Sequence, residues 1–168
     1  PIVGKNYEVG IKGEYFDGAL NASAALFRID QENRAVETSR IGCPQSACYQ
    51  ASGEVRSQGI DLEIQGALTD NWQLGAGYTY ARVHITKDAN NPQNENQRFD
   101  TDMPEHLFKL STVYRFQGPL EKLRVGGNLS WQSRLYNDIA LDDGSSYRLE
   151  QGAYAPVSYT HLRAHETR

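Results

Sequence analysis

The stretch of sequence that decides the fold is GIDLEIQGALTDNWQLGAGYTY, residues 59–80, which consists of two alternating segments joined by a short polar turn. Ile60, Leu62 and Ile64 occupy every second position of the first segment, and charged or polar residues lie between them. Successive side chains of a β-strand point to opposite faces, so each segment should form a strand with one apolar and one polar face. The stretch therefore predicts an antiparallel hairpin with one face that avoids water.

The same alternation recurs along the chain, and the charged residues always fall on the second face. Several of the stretches carry an aromatic residue at one or both ends. Eight residues at about 3.3 Å each, tilted by about 40°, rise roughly 20 Å, close to the height of the apolar band between the aromatic girdles of an outer-membrane barrel. We therefore predict transmembrane β-strands whose apolar face meets lipid. The five stretches are residues 7–15, 60–68, 72–80, 108–116 and 123–131.

Composition limits the class of protein. The chain has 168 residues, a mean hydropathy of −0.64 and no long apolar run, which excludes transmembrane helices. Strands with one polar face keep the average hydropathy low, so this value agrees with a membrane β-barrel. The formal net charge of −4 gives no support for nucleic-acid binding. The chain begins at Pro1 without a signal peptide, a few residues before a strand, so we expect that an N-terminal part is missing.

The end of the chain differs from the rest. Residues 157–167, VSYTHLRAHET, resemble the conceptual translation of a sequencing-library adapter. We therefore expect residues 1–156 to be the native segment, and residues 157–168 to have no native role and no packed structure of their own. For the same reason, the spacing of His161 and His165 does not indicate a metal site.

The predicted strands are joined by connections that alternate between short and long. Outer-membrane barrels place short turns in the periplasm and long loops outside, so this alternation also predicts the orientation of each strand. Asp17-Gly18 marks one of the tight turns. The short connections are residues 17–18, 69–71 and 117–121, and the long ones are residues 34–53, 87–103 and 135–146.

The apolar alternation predicts seven strands. In the strand over residues 19–33 the apolar residues change parity between Leu26 and Phe27, and a β-bulge is one explanation. Seven strands cannot complete an even-numbered bacterial barrel, so we interpret the chain as an interior slice of a larger one. The other predicted strands are residues 4–16, 54–68 and 72–86, the stretches 108–116 and 123–131, and a last strand over residues 146–154.

Residues 53–80 closely resemble a hairpin of TonB-dependent outer-membrane receptors for ferric siderophores. Residues 24–29 with Asn33, and residues 104–110 with residues 114–116, are similar to segments that flank this hairpin in the family, and the resemblance extends over roughly residues 4–155. It implies an all-β, antiparallel transmembrane β-barrel of about 22 strands in the outer membrane of a Gram-negative bacterium. This chain would supply about seven meander strands of that barrel, without the plug domain.

The resemblance also implies a function. In the family the plug and the outer loops bind a metal chelate and a motif on the plug contacts TonB. The expected partners are therefore a ferric siderophore, the TonB–ExbB–ExbD energy-coupling complex and outer-membrane lipid. Iron is expected only as the chelate, with no resident cofactor. The alternatives are uptake of another TonB-dependent substrate, such as a cobalamin or a glycan, and a passive porin. An outer-membrane enzyme would need a nucleophile, a base and an orienting group, and the sequence suggests no such catalytic set.

Candidate ligand-binding residues lie in or beside the loops assigned to the outside. Anionic or aromatic chelates require cations and flat apolar surfaces, which arginine, tyrosine and phenylalanine supply. The alternative for each residue is ordinary solvation of the rim. His84 and His106 are weaker candidates, because a siderophore usually satisfies the coordination of its own iron. The candidates are Tyr49, Arg56, Tyr80, Arg82, Arg98 and Phe99.

Two cysteines and four charged residues have structural interpretations. Cys43 and Cys48 lie in one loop assigned to the outside, which is reached through an oxidising periplasm, so a disulfide is favoured over a metal site. Four charged residues on the polar face of the strands are expected to face the lumen and to pair with one another or with the plug. They are Asp61, Glu63, Arg115 and Arg124.

Overall fold

The computed structural model describes residues 1–38, 48–99, 101–141 and 145–163. Within these residues the chain forms nine β-strands and two short 3-10 helices. No helix in this part of the chain combines the length and the hydropathy required to cross a membrane. The strands are β1 (Val3–Tyr15), β2 (Leu20–Thr38), β3 (Cys48–Thr69), β4 (Trp72–Lys87), β5 (His106–Arg115), β6 (Leu123–Gln132), β7 (Leu135–Ala140), β8 (Ser146–Gln151) and β9 (Val157–Arg163). The 3-10 helices are Pro92–Asn94 and Gly118–Leu120.

Seven strands form one antiparallel sheet in the order β1-β2-β3-β4-β5-β6-β9, and β7 and β8 form a separate two-stranded sheet. Strands β1 to β6 pair in sequence order, which confirms the predicted all-β antiparallel meander. The prediction that residues 146–154 form its seventh strand is wrong for residues 146–151, because β8 pairs with β7 instead, although Tyr154 forms an isolated bridge with Gln132 of β6. A hairpin between strands so close in sequence closes a short loop, which costs little chain entropy.

The seventh place in the sheet is taken by β9, which pairs with β6. The expectation that residues 157–168 have no packed structure is therefore wrong for residues 157–163. The free edge of β6 presents N–H and C=O groups that any extended segment can satisfy, so the pairing depends on the backbone. The side chains add little, since Val157 is 72% exposed and Tyr159 is 80% exposed. The interpretation of these residues as an adapter translation stays a prediction.

The register collects the apolar positions of neighbouring strands into common rows. Directly opposed residues of an antiparallel ladder have their side chains on the same face, so the sheet has one apolar face and one polar face. The apolar face is not a core, because Val9 is 69% exposed and Ile11 is 76% exposed. An exposed apolar surface of this extent requires a partner other than water, as predicted for a face that meets lipid. One representative row consists of Ile11, Ala24, Leu62, Tyr78, Phe108 and Trp131.

Strand β2 has no bulge before Gln31, and its register with both neighbours is continuous up to that residue. The bulge suggested at residues 26–27 is therefore wrong, and Phe27 lies on the polar face. The irregularity comes later, at Asn33, where a φ of 61° accompanies a register shift between Gln31 and Arg34. Asparagine tolerates this left-handed conformation better than most residues that carry a Cβ atom.

Strands β2 and β3 extend beyond the predicted membrane-crossing segments. The connection predicted over residues 34–53 is shorter than expected, because β2 continues to Thr38 and β3 begins at Cys48. The loop predicted over residues 135–146 likewise contains β7. Alternation could not reveal these extensions, because a strand that has left the membrane can be polar on both faces.

The first short connection is a turn of left-handed residues. Phe16, Asp17 and Gly18 have φ angles of 56°, 53° and 85°, and the Ala19 N–H donates to the Phe16 carbonyl at 3.0 Å. The tight turn predicted at Asp17-Gly18 is confirmed, with Phe16 included in it. The short connections of the meander all lie at one end of the sheet and the long ones at the other. The end with the long connections is therefore the predicted outer end.

Candidate functional site

The candidate residues gather at the outer end of the sheet. We call this region the outer rim, and it consists of the outer parts of β2, β3 and β4 together with residues 88–99 and 101–105. The last part of this connection folds back along β4. The Phe99 N–H donates to the Val83 carbonyl at 2.9 Å, and an isolated antiparallel bridge joins His84 to Arg98. The connection is thus a short continuation of the sheet, which holds Phe99 in place.

Asp88 organises the start of the same connection. Its buried carboxylate accepts hydrogen bonds from the Asn90 N–H at 3.1 Å and from the Asn91 N–H at 3.0 Å. Its second oxygen accepts a hydrogen bond from Asn94 Nδ2 at 3.0 Å. The hydrogen bond from Asn94, followed by those from the backbone of Asn91 and Asn90, lowers the pKa of Asp88 below its usual value.

Replacing Asp88 with alanine should destabilise this connection by about 1–3 kcal/mol, because three hydrogen bonds lose their buried acceptor. Since the pKa is lowered in the folded state, the stabilisation is present above the unfolded-state value of about 4 and is lost as the pH falls through the folded-state pKa. Amide hydrogen exchange in the complete receptor should therefore become faster in residues 88–99 of the variant at pH 7. Gln93→Ala is the matched control, because only the main-chain carbonyl of Gln93 accepts a hydrogen bond. Equal exchange in Asp88→Ala and wild type would contradict this role.

Arg34 and Phe99 form a cation–π pair on the polar face of the outer rim. Arg34 Cζ lies 3.8 Å from the centroid of the Phe99 ring. Arg34 is directly opposite Gly53, and the Phe99 N–H is hydrogen-bonded to the Val83 carbonyl. Gly53 and Val83 both lie on the polar face, so Arg34 and Phe99 lie there too. Both side chains are half-buried, and Arg34 makes no ion pair within the described part of the chain. An uncompensated guanidinium beside a flat ring suits an anionic or aromatic ligand.

The alternation of the sequence does not predict Arg34 as a lumen-side residue. Strict alternation from Leu26 would place it on the apolar face. The left-handed Asn33 adds a residue to β2 and turns Arg34 to the polar face instead. The signal that could have found it is Asn33 itself, because asparagine is unfavourable inside a strand and is common where the backbone adopts a positive φ.

Arg98, a predicted ligand contact, is engaged within the rim. Its Nη2 donates to the Met103 carbonyl at 2.6 Å, its Nε lies 3.5 Å from Glu105 Oε1, and its side chain is only 17% exposed. Its Cζ also lies 5.5 Å from the centroid of the Tyr136 ring, and Arg148 Cζ lies 4.3 Å from the same centroid. Arg98 therefore connects this part of the rim to the β7–β8 hairpin. Its contact with a ligand stays a prediction.

The other predicted contacts lie apart from Phe99. Tyr80 is opposite Ile60 on the apolar face, and Arg56 and Arg82 share the parity of these two residues in β3 and β4. Tyr49 lies near the start of β3 and is 66% exposed. The register thus directs Arg56, Tyr80 and Arg82 to the outside of the sheet rather than to the polar face. Their roles as ligand contacts stay predictions.

The two histidines beside this connection lie on the apolar-face side of the sheet. Burial, followed by repulsion from Arg82 and Arg56, lowers the pKa of His84, and its Nδ1 is buried without a hydrogen-bond partner. His106 Nδ1 lies 2.9 Å from the Tyr78 hydroxyl. Among the described residues, no group of three or more His, Cys, Asp or Glu could hold a metal ion. Cys43 lies outside the described residues, so its disulfide with Cys48 also stays a prediction.

The four residues expected to face the lumen all lie on the polar face. Asp61 accepts a hydrogen bond from the Thr79 hydroxyl at 2.7 Å. Arg115 is directly opposite Arg124, so two like charges are neighbours. No salt bridge forms between Asp61 or Glu63 and either arginine in the described part of the chain. Because all four are exposed on this face, their charges remain accessible to a partner in the lumen.

Comparison with known proteins gives a family and named relatives. A family model described as TonB dependent receptor-like, beta-barrel matches residues 1–162. The chain is 37% identical over 155 residues to the ferric-pyoverdine BN7/BN8 receptor of Pseudomonas putida. This alignment covers 92% of this chain and 17% of that protein. It is 39% identical over 143 residues to the ferripyoverdine receptor of Pseudomonas aeruginosa, and this alignment covers 83% of this chain and 17% of that protein. The chain thus spans about a sixth of the length of these relatives.

Solved structures agree with the family match. The crystal structure of the ferripyoverdine receptor of the outer membrane of Pseudomonas aeruginosa, bound to ferripyoverdine, superposes with a TM-score of 0.81 at 34% identity. The superposition covers 94% of this chain and 21% of that one. It confirms that the seven-stranded sheet is part of an outer-membrane barrel, in which the apolar face meets lipid and the polar face lines the lumen.

Proposed function

This chain belongs to the TonB dependent receptor-like β-barrel family of the outer membrane, and we propose that the receptor containing it takes up a ferric siderophore in a TonB-dependent manner. The observation that carries the proposal is the identity of 37% and 39% with two receptors named for ferric pyoverdines, over more than four fifths of the chain. Iron is the cargo in this proposal and not a cofactor of the protein.

The outer rim supports the proposal physically. Arg34 and Phe99 lie on the lumen side at the outer end, where a chelate that enters from outside would arrive. The Arg34 guanidinium supplies a positive charge, and the Phe99 ring supplies a flat apolar surface 3.8 Å away. Together they bind an anionic chelate with aromatic or planar groups. Phe99 keeps the ligand role predicted from the sequence, and Arg34 joins it.

The remaining steps are binding and release, without covalent chemistry. The polar face of β3 to β6 carries charged and hydroxyl side chains, which would contact a domain inside the lumen. Energy would come from the TonB–ExbB–ExbD complex through that domain. No enzymatic activity is part of the proposal, because its relatives are named as receptors.

The test uses the complete receptor gene in a strain that lacks its own siderophore receptors. Under iron limitation the receptor should restore growth on one or a few ferric siderophores, and growth should disappear when TonB is removed. If the receptor supports growth on a cobalamin or a glycan but on no ferric siderophore, the transported substrate is not the one proposed. Entry of small solutes at the same rate with and without TonB would overturn the proposal in favour of a passive porin.

A further inference from the structure

The apolar face ends abruptly at the outer end of the sheet. Along β4, the apolar face extends from Trp72 to Tyr80 and consists of five rows of directly opposed residues. Among the described residues, none of these five rows contains Asp, Glu, Lys or Arg. The next row contains Arg28 and Arg82, on either side of Gln58. The surface therefore changes from apolar to cationic within two residues, which is about 5 Å of height for a tilted strand.

A third arginine, Arg56, lies in the following row. Asp30 accepts a hydrogen bond from Arg28 Nε at 2.8 Å and another from Arg56 Nε at 2.6 Å. The Asp30 side chain is 16% exposed and that of Arg28 is 48% exposed, so the carboxylate lies beneath the two guanidinium groups. These bonds, the one from Arg28 first, lower the pKa of Asp30 and keep it ionised. Asp30 thus holds the two arginines side by side.

Much of the hydrogen-bonding capacity of this cluster is unused. Both bonds to Asp30 use Nε, and the Nη groups of Arg28 and Arg56 have no partner within the described part of the chain. Arg82 is exposed and forms no ion pair with a described residue. The three arginines carry three positive charges and Asp30 carries one negative charge, so the cluster has a net charge of about +2. This charge lies on the outer surface of the barrel, just above the apolar band.

The inner border of the apolar face differs. The short turns there carry the acidic residues Asp17, Asp70 and Glu121, with Lys122 as a cation beside them. Charged residues that only keep the ends of the strands hydrated would be needed equally at both borders. Among the described residues, the arginine cluster occurs at the outer border alone. Its place therefore points to a feature of the outer leaflet.

We propose that Arg28, Arg56 and Arg82 form an external binding site for the phosphate groups of lipid headgroups in the outer leaflet. Guanidinium groups bind phosphate oxygens in bidentate pairs, and the three lie at the height of the headgroups. Tyr80 and His106, whose ring centroids are 4.8 Å apart, lie in the row below and form the aromatic border of the apolar band. The site faces away from the lumen, so it is independent of the proposed uptake function.

The test measures retention of diphosphoryl lipid A by the purified complete receptor in detergent, using native mass spectrometry. The Arg28→Gln/Arg82→Gln double variant should bind this lipid about tenfold more weakly than wild type. The Arg28→Lys/Arg82→Lys variant should bind with an affinity between those of wild type and the glutamine variant, because it keeps the charge but loses the bidentate geometry. Arg115→Gln/Arg124→Gln is the matched control, since it removes two arginines from the polar face at the other end of the sheet and should bind like wild type.

Two further probes identify what is recognised. A dephosphorylated form of the same lipid should bind wild type as weakly as diphosphoryl lipid A binds the glutamine variant. Equal retention of the two lipids, or equal loss in the Arg115→Gln/Arg124→Gln control, would overturn the proposal. Displacement of the lipid by millimolar inorganic phosphate alone would also overturn it, because the site would then be one for a free anion.

Discussion

Replacing Arg34 with glutamine in the complete receptor is expected to weaken binding of an anionic ferric chelate by about tenfold to hundredfold, because hydrogen bonds to a charged group contribute about 1.5–3 kcal/mol. Arg34 has no acidic partner in the described part of the chain that would compensate for its charge, and the ring of Phe99 holds its guanidinium toward the lumen. Glutamine keeps a similar length and polarity but removes the charge. Equilibrium titration of the receptor with the ferric siderophore that supports growth measures the change.

The controls for Arg34 separate the lumen side from the outside. Arg56→Gln removes the same charge in the same rim but from the apolar-face side, so it should change chelate affinity by less than threefold. Phe99→Leu keeps an apolar side chain and removes the flat ring, so it should weaken binding in the same direction as Arg34→Gln. If Arg34→Gln binds like wild type while Arg56→Gln binds weakly, the assignment of the site to the lumen side is wrong.

Replacing Gly66 with alanine should lower the free energy of unfolding by about 2–4 kcal/mol. Gly66 has a φ of 145°, a conformation that residues with a side chain rarely adopt. A Cβ atom here would collide with the carbonyl oxygen of Ala19 and would lie 2.7 Å from Leu20 Cα. That carbonyl accepts a hydrogen bond from the Ala67 N–H at 2.7 Å, so the collision also breaks a contact between β3 and the first turn. Urea titration of the receptor in detergent measures the loss.

Gly75→Ala is the matched control for Gly66→Ala. Gly75 lies opposite Gln65 in the neighbouring strand, and a Cβ atom there would meet no atom within 4 Å. The alanine should therefore change the free energy of unfolding by no more than about 0.5 kcal/mol. Equal midpoints for the two variants would show that the backbone near Gly66 adapts without cost.

Most of the membrane-crossing part of the fold could be predicted from the sequence. Alternation is a local property, and each strand from β1 to β6 keeps its parity through the apolar band, so residues as distant as Ile11 and Trp131 fall on the predicted face. The lumen-facing charges Asp61 and Arg115 follow from the same rule. The turn at Asp17-Gly18 follows from the conformational preferences of its residues.

The outer rim could be predicted only in part. Residue type predicts Phe99 as a candidate, but its position depends on the hydrogen bond to Val83, which joins two segments of the chain that alternation does not relate. Residue type and position along the chain predict that Arg56 and Arg82 are rim cations but do not give the face of the sheet on which they lie. Their positions in the strand alternation place both arginines on the outer surface of the barrel. There we propose that they bind lipid headgroups rather than a chelate.

The sequence by itself determined the two faces of the sheet, the medium that each face meets and the family, because period-two patterning and hairpin motifs are local. The tertiary structure decided three other things. The left-handed conformation of Asn33 places Arg34 on the lumen side. Residues 146–151 pair with β7 rather than with the main sheet, and β9 pairs with the free edge of β6. Each outcome depends on one inserted residue or on backbone pairing at a free edge, and neither leaves a periodic trace in the sequence.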